Sequence, residues 1–152
     1  MAGVIPDRKI KSLFLTDGLI LIPLILSGPQ LLIGTAVNFL LCKTAAGSQP
    51  KERWIAAALP SLAVIIHGVL FSSFTIYLLY LWPIITLGNW VFMRVGQGKL
   101  KYLPVAAIGK MLILTAGATL LFQLKIIPTG LVTSMGVIQL TTAMIGGLLA
   151  AL

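Results

Sequence analysis

Apolar runs broken by cations, prolines and glycines set the pattern of this chain. No charge occurs between Asp17 and Lys43, and Ser27-Gly28-Pro29 interrupts that run. Proline lacks the N–H a helix ladder needs, and the glycine before it loosens the backbone, so the run is either one long helix or two short ones, 13–27 and 30–42. Four more apolar stretches follow, roughly 54–72, 74–93, 103–124 and 131–152. Each has about 18–22 residues, enough to cross a ~30 Å hydrocarbon core at ~1.5 Å per residue. Their separators are a tight turn at Phe71-Ser72-Ser73, a basic glycine-containing loop from Arg94 to Lys101, and the segment Lys125 to Gly130 with Pro128.

The cations decide between five spans and six, because lysine and arginine gather on the cytoplasmic side of membrane proteins. A split at Gly28-Pro29 puts Arg8, Lys9, Lys11, Lys43, Lys51, Arg53, Arg94, Lys99 and Lys101 on one side and leaves Lys125 alone opposite. A single first helix would place the loops around Lys51 and Lys99 across from the basic N-terminus. The predicted fold is therefore an all-α integral membrane protein: a single transmembrane domain over 1–152, a bundle of about six short helices, multi-pass in the cell membrane with both termini cytoplasmic. The second span covers only ~20 Å as a straight helix, so the first two are expected to dip into the bilayer or sit buried as a pair. Arg8, Lys9 and Lys11 before LILIPLILSG imitate a signal peptide, but Pro29 follows the one small-residue cleavage point, so a retained anchor is expected.

Composition agrees. Hydrophobic residues make up 59% of the chain, charged ones 9%, and the mean hydropathy is +1.07, whereas soluble domains carry ~25% charged residues. A water-soluble fold is excluded and the lipid bilayer is the expected solvent. The net charge of +8 does not point to nucleic acid, because no aromatic residues interleave with the basic ones for base stacking. Cys42 is the only cysteine, which excludes an intramolecular disulfide and a multi-thiolate metal site. The chain has no phosphate-cradling glycine loop, no metalloprotease histidine pair and no GxSxG, so neither enzymatic activity nor a cofactor is expected.

A charge at the centre of a membrane helix costs ~2.5–3.5 kcal/mol on insertion scales, so polar residues within the spans need a reason. They are Asp17, Asn38, His67, Asn89, Lys110, Gln123 and Gln139, with the hydroxyls of Ser61, Ser72, Ser73, Thr75 and Thr115. His67, in SLAVIIHGVLF, can meet a ligand, a metal or a proton, or simply bond a neighbouring helix. Asn38 and Asn89 suit interhelical bonds or ligand contact. Lys110, about two turns into the fifth span, can snorkel to the inner headgroups or act as counter-ion to Asp17 or an anionic ligand. On six spans, His67 and Gln139 fall some ~8 and ~12 Å from the outer end. They are expected in one layer between the third, fifth and sixth spans, with Gln123, Ser72 and Ser73 above. The alternative is a mutual hydrogen bond between them and no cavity. Small residues in TAGAT and MIGGLLAAL suit internal packing or a docking face.

The basic N-terminus, six short spans and the last helix MGVIQLTTAMIGGLLAAL, with GTAVNFLL, LPSLAVIIHGVLF and WPIITLGNW, resemble the substrate-capture subunits of energy-coupling factor transporters. That resemblance implies a six-helix bundle with an outward-facing pocket for a small vitamin-like molecule or a metal. It also implies docking on a membrane coupling protein that carries two ATPase subunits. Many members carry Ala-x-x-x-Ala on the first helix for that contact, whereas KSLFLTDGLILIPLILS contains no alanine. The competing expectation is an accessory or assembly subunit of a larger membrane complex without a ligand of its own.

Overall fold

A computed structural model of the chain describes residues 7–25, 29–67 and 72–152. These residues form α1 (Asp7–Ile25), α2 (Gln30–Ala45), α3 (Pro50–His67), α4 (Leu78–Gly96), α5 (Leu103–Gln123), and α6 (Thr129–Met135) with α7 (Val137–Ala151). Because α6 and α7 continue as one apolar stretch broken only at Gly136, the described residues make six helical rods and no strand. The split favoured by the cation count is thus the one observed, although Ser27 and Gly28 lie outside the described residues.

One helix extends beyond its apolar window where a cap holds a polar turn. The α3 helix starts at Pro50, where the Gln49 backbone N–H donates to Glu52 Oε2 (2.8 Å), as in a capping box. Arg53 donates to the Ala45 carbonyl at the end of α2 (3.2 Å) and to Ser48 Oγ (3.3 Å), tying the loop to both helices. The fourth rod opens with a 3-10 turn, Ser72–Tyr77, where a tight turn at Ser72-Ser73 was expected. Three stretches, Thr75–Gly96, Leu100–Gln123 and Thr129–Ala151, are long and apolar enough to cross a membrane, and Leu15–Ile25 and Gln30–Ala45 are shorter apolar helices.

Consecutive rods alternate in direction. Lys43, Arg53, Arg94, Lys99 and Lys101 therefore gather at one end, where α2 and α4 finish and α3 and α5 start. Gly98 makes that end compact: at φ +67, an added Cβ would lie 2.8 Å from Ala46 Cβ and 3.0 Å from the Cys42 carbonyl. The α7 helix packs most extensively on α2. At Gly146 the backbones come so close that a Cβ would meet the Thr35 carbonyl at 2.5 Å and the Phe39 N at 2.7 Å, the use of small residues by which membrane helices approach.

Two apolar clusters fill the interior. Towards the basic end lie Ala56 and Ala57 of α3, Phe92 and Met93 of α4, and Leu103, Ala106 and Ala107 of α5. Towards the other end lie Val64, Leu78, Leu81, Leu114 and Ala118 of the same helices, with Leu131 and Met135. The residues between them on α3, α4 and α5 are Pro60-Ser61, Asn89 and Lys110, so a polar layer interrupts the core.

Candidate functional site

Three helices bring a polar residue to the same depth. Asn38 lies seven residues before the end of α2, Asn89 seven before the end of α4, and Lys110 seven after the start of α5. At 1.5 Å per residue, all three are about 10 Å from the basic end. Each is nearly inaccessible, at 1%, 2% and 2% exposure.

Lys110 Nζ donates to Asn38 Oδ1 at 2.7 Å and lies 5.4 Å from the centre of the Phe92 ring. Asn38 Nδ2 donates to the Gly34 carbonyl (2.8 Å) and to Thr142 Oγ1 (3.1 Å), and that hydroxyl donates to the Gln139 carbonyl (3.2 Å). The chain of bonds joins α5, α2 and α7. Gly34 permits it, since a Cβ there would press on Thr142 Cγ2 at 3.0 Å. Both N–H groups of Asn38 are used, whereas Lys110 uses one of three donors, and no ion pair among the described residues includes it. Asp17 and Glu52 are exposed.

Across the layer, Pro60 breaks the ladder of α3, and the carbonyls of the preceding turn accept side-chain donors. Asn89 Nδ2 donates to the Ala57 carbonyl (2.9 Å), and Trp82 Nε1 and Ser61 Oγ donate to the Ala58 carbonyl (3.3 and 3.2 Å). A carbonyl partner fixes which way the Asn89 amide faces. Its Oδ1 is left buried without a hydrogen bond.

These groups surround a cavity of about 80 Å³. Asn38, Asn89, Lys110 and Ser61 meet it at the polar layer, and Val37, Val64, Ile85 and Met135 supply apolar wall. It extends to Gln30 and Leu78, the first residues of α2 and α4, at the end away from the cations. Four buried side-chain polar atoms among the described residues lack a hydrogen bond, and two of them, Asn89 Oδ1 and Gln30 Nε2, belong to this lining. Buried polar atoms in folded proteins are almost always paired. Two orphans on one cavity, an acceptor and a donor, mark the place for a polar guest, and the volume exceeds the ~10–15 Å³ that a single water needs.

Of the residues singled out in the sequence, Asn38, Ser61, Asn89, Lys110 and Gln139 line this cavity. Lys110 points into the bundle and does not snorkel; Asn38 accepts its hydrogen bond there. His67 closes α3, partly buried, about one turn beyond Val64 and outside the lining. Gln123 is exposed, on a surface recess with Tyr77, Lys125 and Pro128. Thr115 donates to the Met135 carbonyl at the Gly136 break (3.4 Å), Thr75 is buried and Asp17 is exposed. Sequence reasoning missed Gln30 and Thr142. The i, i+4 spacing of Gly34 and Asn38 was the available sign that a polar partner would face them.

Among the described residues no group of three His, Cys, Asp or Glu side chains comes together to hold a metal. No family model matches the chain, and searches of curated proteins and of solved structures find no significant match.

Proposed function

We propose that this chain is a multi-pass membrane protein that captures a small molecule in the cavity around Lys110, in the manner of the substrate-binding subunit of an energy-coupling factor type transporter. Three apolar stretches are of membrane-crossing length, and no more than a third of each is buried inside the bundle. Leu79, Val105, Leu112, Leu120, Leu148 and Leu149 face outwards. Helices apolar on their outer faces belong in lipid. With the cations at one end in the cytoplasm, the cavity reaches toward the outer face.

The observation that carries the capture role is the pair of orphaned polar atoms on a cavity that is also lined by Lys110, whose one hydrogen-bond acceptor is a neutral amide. Small-molecule sites are apolar hollows with a few convergent polar groups. An accessory role without a ligand requires a tightly packed interior and free small residues for docking. The glycines of the last helix are instead consumed internally, Gly146 against α2 and Gly147 against Leu103. With no nucleotide-binding loop of its own, the chain depends on partners or an ion gradient for any energy.

Purification from native membranes in mild detergent, followed by identification of the co-purifying proteins, tests the assignment. A membrane coupling protein with two ATPases is the expected company. A different multisubunit complex, with no such ATPases, would replace this reading with the accessory one.

A further inference from the structure

We infer that the guest of this cavity is an anion, a small carboxylic acid with an apolar body, whose carboxylate sits on Lys110. The inference rests on the capture reading above and specifies its ligand class. Lys110 Nζ is enclosed by Asn38, the Phe92 ring and the cavity itself. Its one acceptor is a neutral amide oxygen, although an ammonium carries three donors. A charge removed from water is tolerated when it is paired and hydrogen-bonded, no ion pair among the described residues includes Lys110, and Asp17 and Glu52 are at the surface. An anionic guest supplies that counter-charge.

The remaining lining specifies the rest of the molecule. Val37, Val64, Leu78, Ile85 and Met135 offer no partner to a second charge, so the guest is singly charged and apolar beyond its head. Asn89 Oδ1, turned away from Ala57 because Nδ2 donates there, is an acceptor that asks for an N–H or O–H on the guest. Gln30 Nε2, at the far end, offers a donor. A polyanion, or a cation, has no place here.

Matched acids and amides separate this inference from the capture reading itself. The full chain in lipid nanodiscs is titrated with hexanoate, benzoate and 4-hydroxybenzoate and with the corresponding amides, and the thermal unfolding midpoint is followed. A guest that binds only the folded state raises that midpoint. Each acid should bind ~10–100-fold more tightly than its amide, the range expected of a charge-assisted bond in a desolvated site. The hydroxyl of 4-hydroxybenzoate should improve on benzoate. In Lys110→Met the preference for acid should vanish, and the ligand-free midpoint should rise because an unpaired buried charge is gone. Lys110→Arg should retain the preference. Equal binding of acid and amide to the wild type would overturn the anionic guest while leaving the capture reading standing. Failure of every acid and every amide to shift the midpoint would overturn both, and these wild-type comparisons do not depend on any variant folding.

Discussion

Lys110 Nζ and Asn38 Oδ1 lie 2.7 Å apart across 72 residues of sequence, joining α5 to α2 at the level where the two apolar clusters part. Both N–H groups of the Asn38 amide are engaged as well. Asn38 is thus a structural hub, and Lys110 is a charge held in place with donors to spare. The two residues have opposite consequences for stability.

A double-mutant cycle separates these roles. Asn38→Ala strands the Lys110 amine and removes a donor from the Thr142 hydroxyl and the Gly34 carbonyl, and should cost about 2–3 kcal/mol in equilibrium unfolding. In the Lys110→Met background the same change should cost at least ~1 kcal/mol less, since residues sharing one network couple by ~0.5–3 kcal/mol. Additive effects would mean that the two side chains do not share a bond.

Contact between α2 and α7 depends on the absence of a side chain at Gly146. Gly146→Ala places a methyl group on the α2 backbone at Thr35 and Phe39, which cannot yield as a flexible side chain does. A loss of ~1–3 kcal/mol is expected. Gly130→Ala, where an added Cβ meets nothing within 4 Å, should stay within ~0.5 kcal/mol of the wild type. Similar effects at the two sites would contradict the close approach.

Much of the architecture was legible because the chain punctuates itself. Pro29 and Pro128 stand directly before α2 and α6, and the loops bearing Lys51 and Lys99 alternate with apolar runs. The site was only half legible. That Asn38, Asn89 and Lys110 needed partners followed from their cost in lipid, but which partners depends on helix rotation, and the short apolar windows do not encode it. Lys110 could be read as snorkelling because its stem is long enough. Its inward course is met by Asn38 on another helix. His67 looked central because it is the lone histidine, yet the cavity meets α3 at the Pro60 break, one to two turns earlier. Gln30 escaped notice because it opens a helix beside a proline, where amides are unremarkable.

Orientation is open to a direct test with exposed positions. Cys42 itself is 8% exposed and is shielded from reagents on either side, so it is replaced by alanine. Single cysteines are then placed at Gln49, exposed at the basic end, and at Thr129, exposed at the other. In intact cells an impermeant thiol reagent should modify position 129 and reach position 49 only after permeabilisation. The reverse pattern would turn the cavity toward the cytoplasm and remove the capture role.

The central claim is that the cavity between α2, α3, α4, α5 and α7 holds a small molecule. Native mass spectrometry of the full chain, released from nanodiscs prepared from the membranes that produce it, reads this directly. One small molecule per chain is expected on the wild type, and it should be absent from Val64→Phe, whose ring would occupy the cavity wall. A wild-type spectrum showing the bare chain alone, or an adduct that persists unchanged in Val64→Phe, would contradict the account.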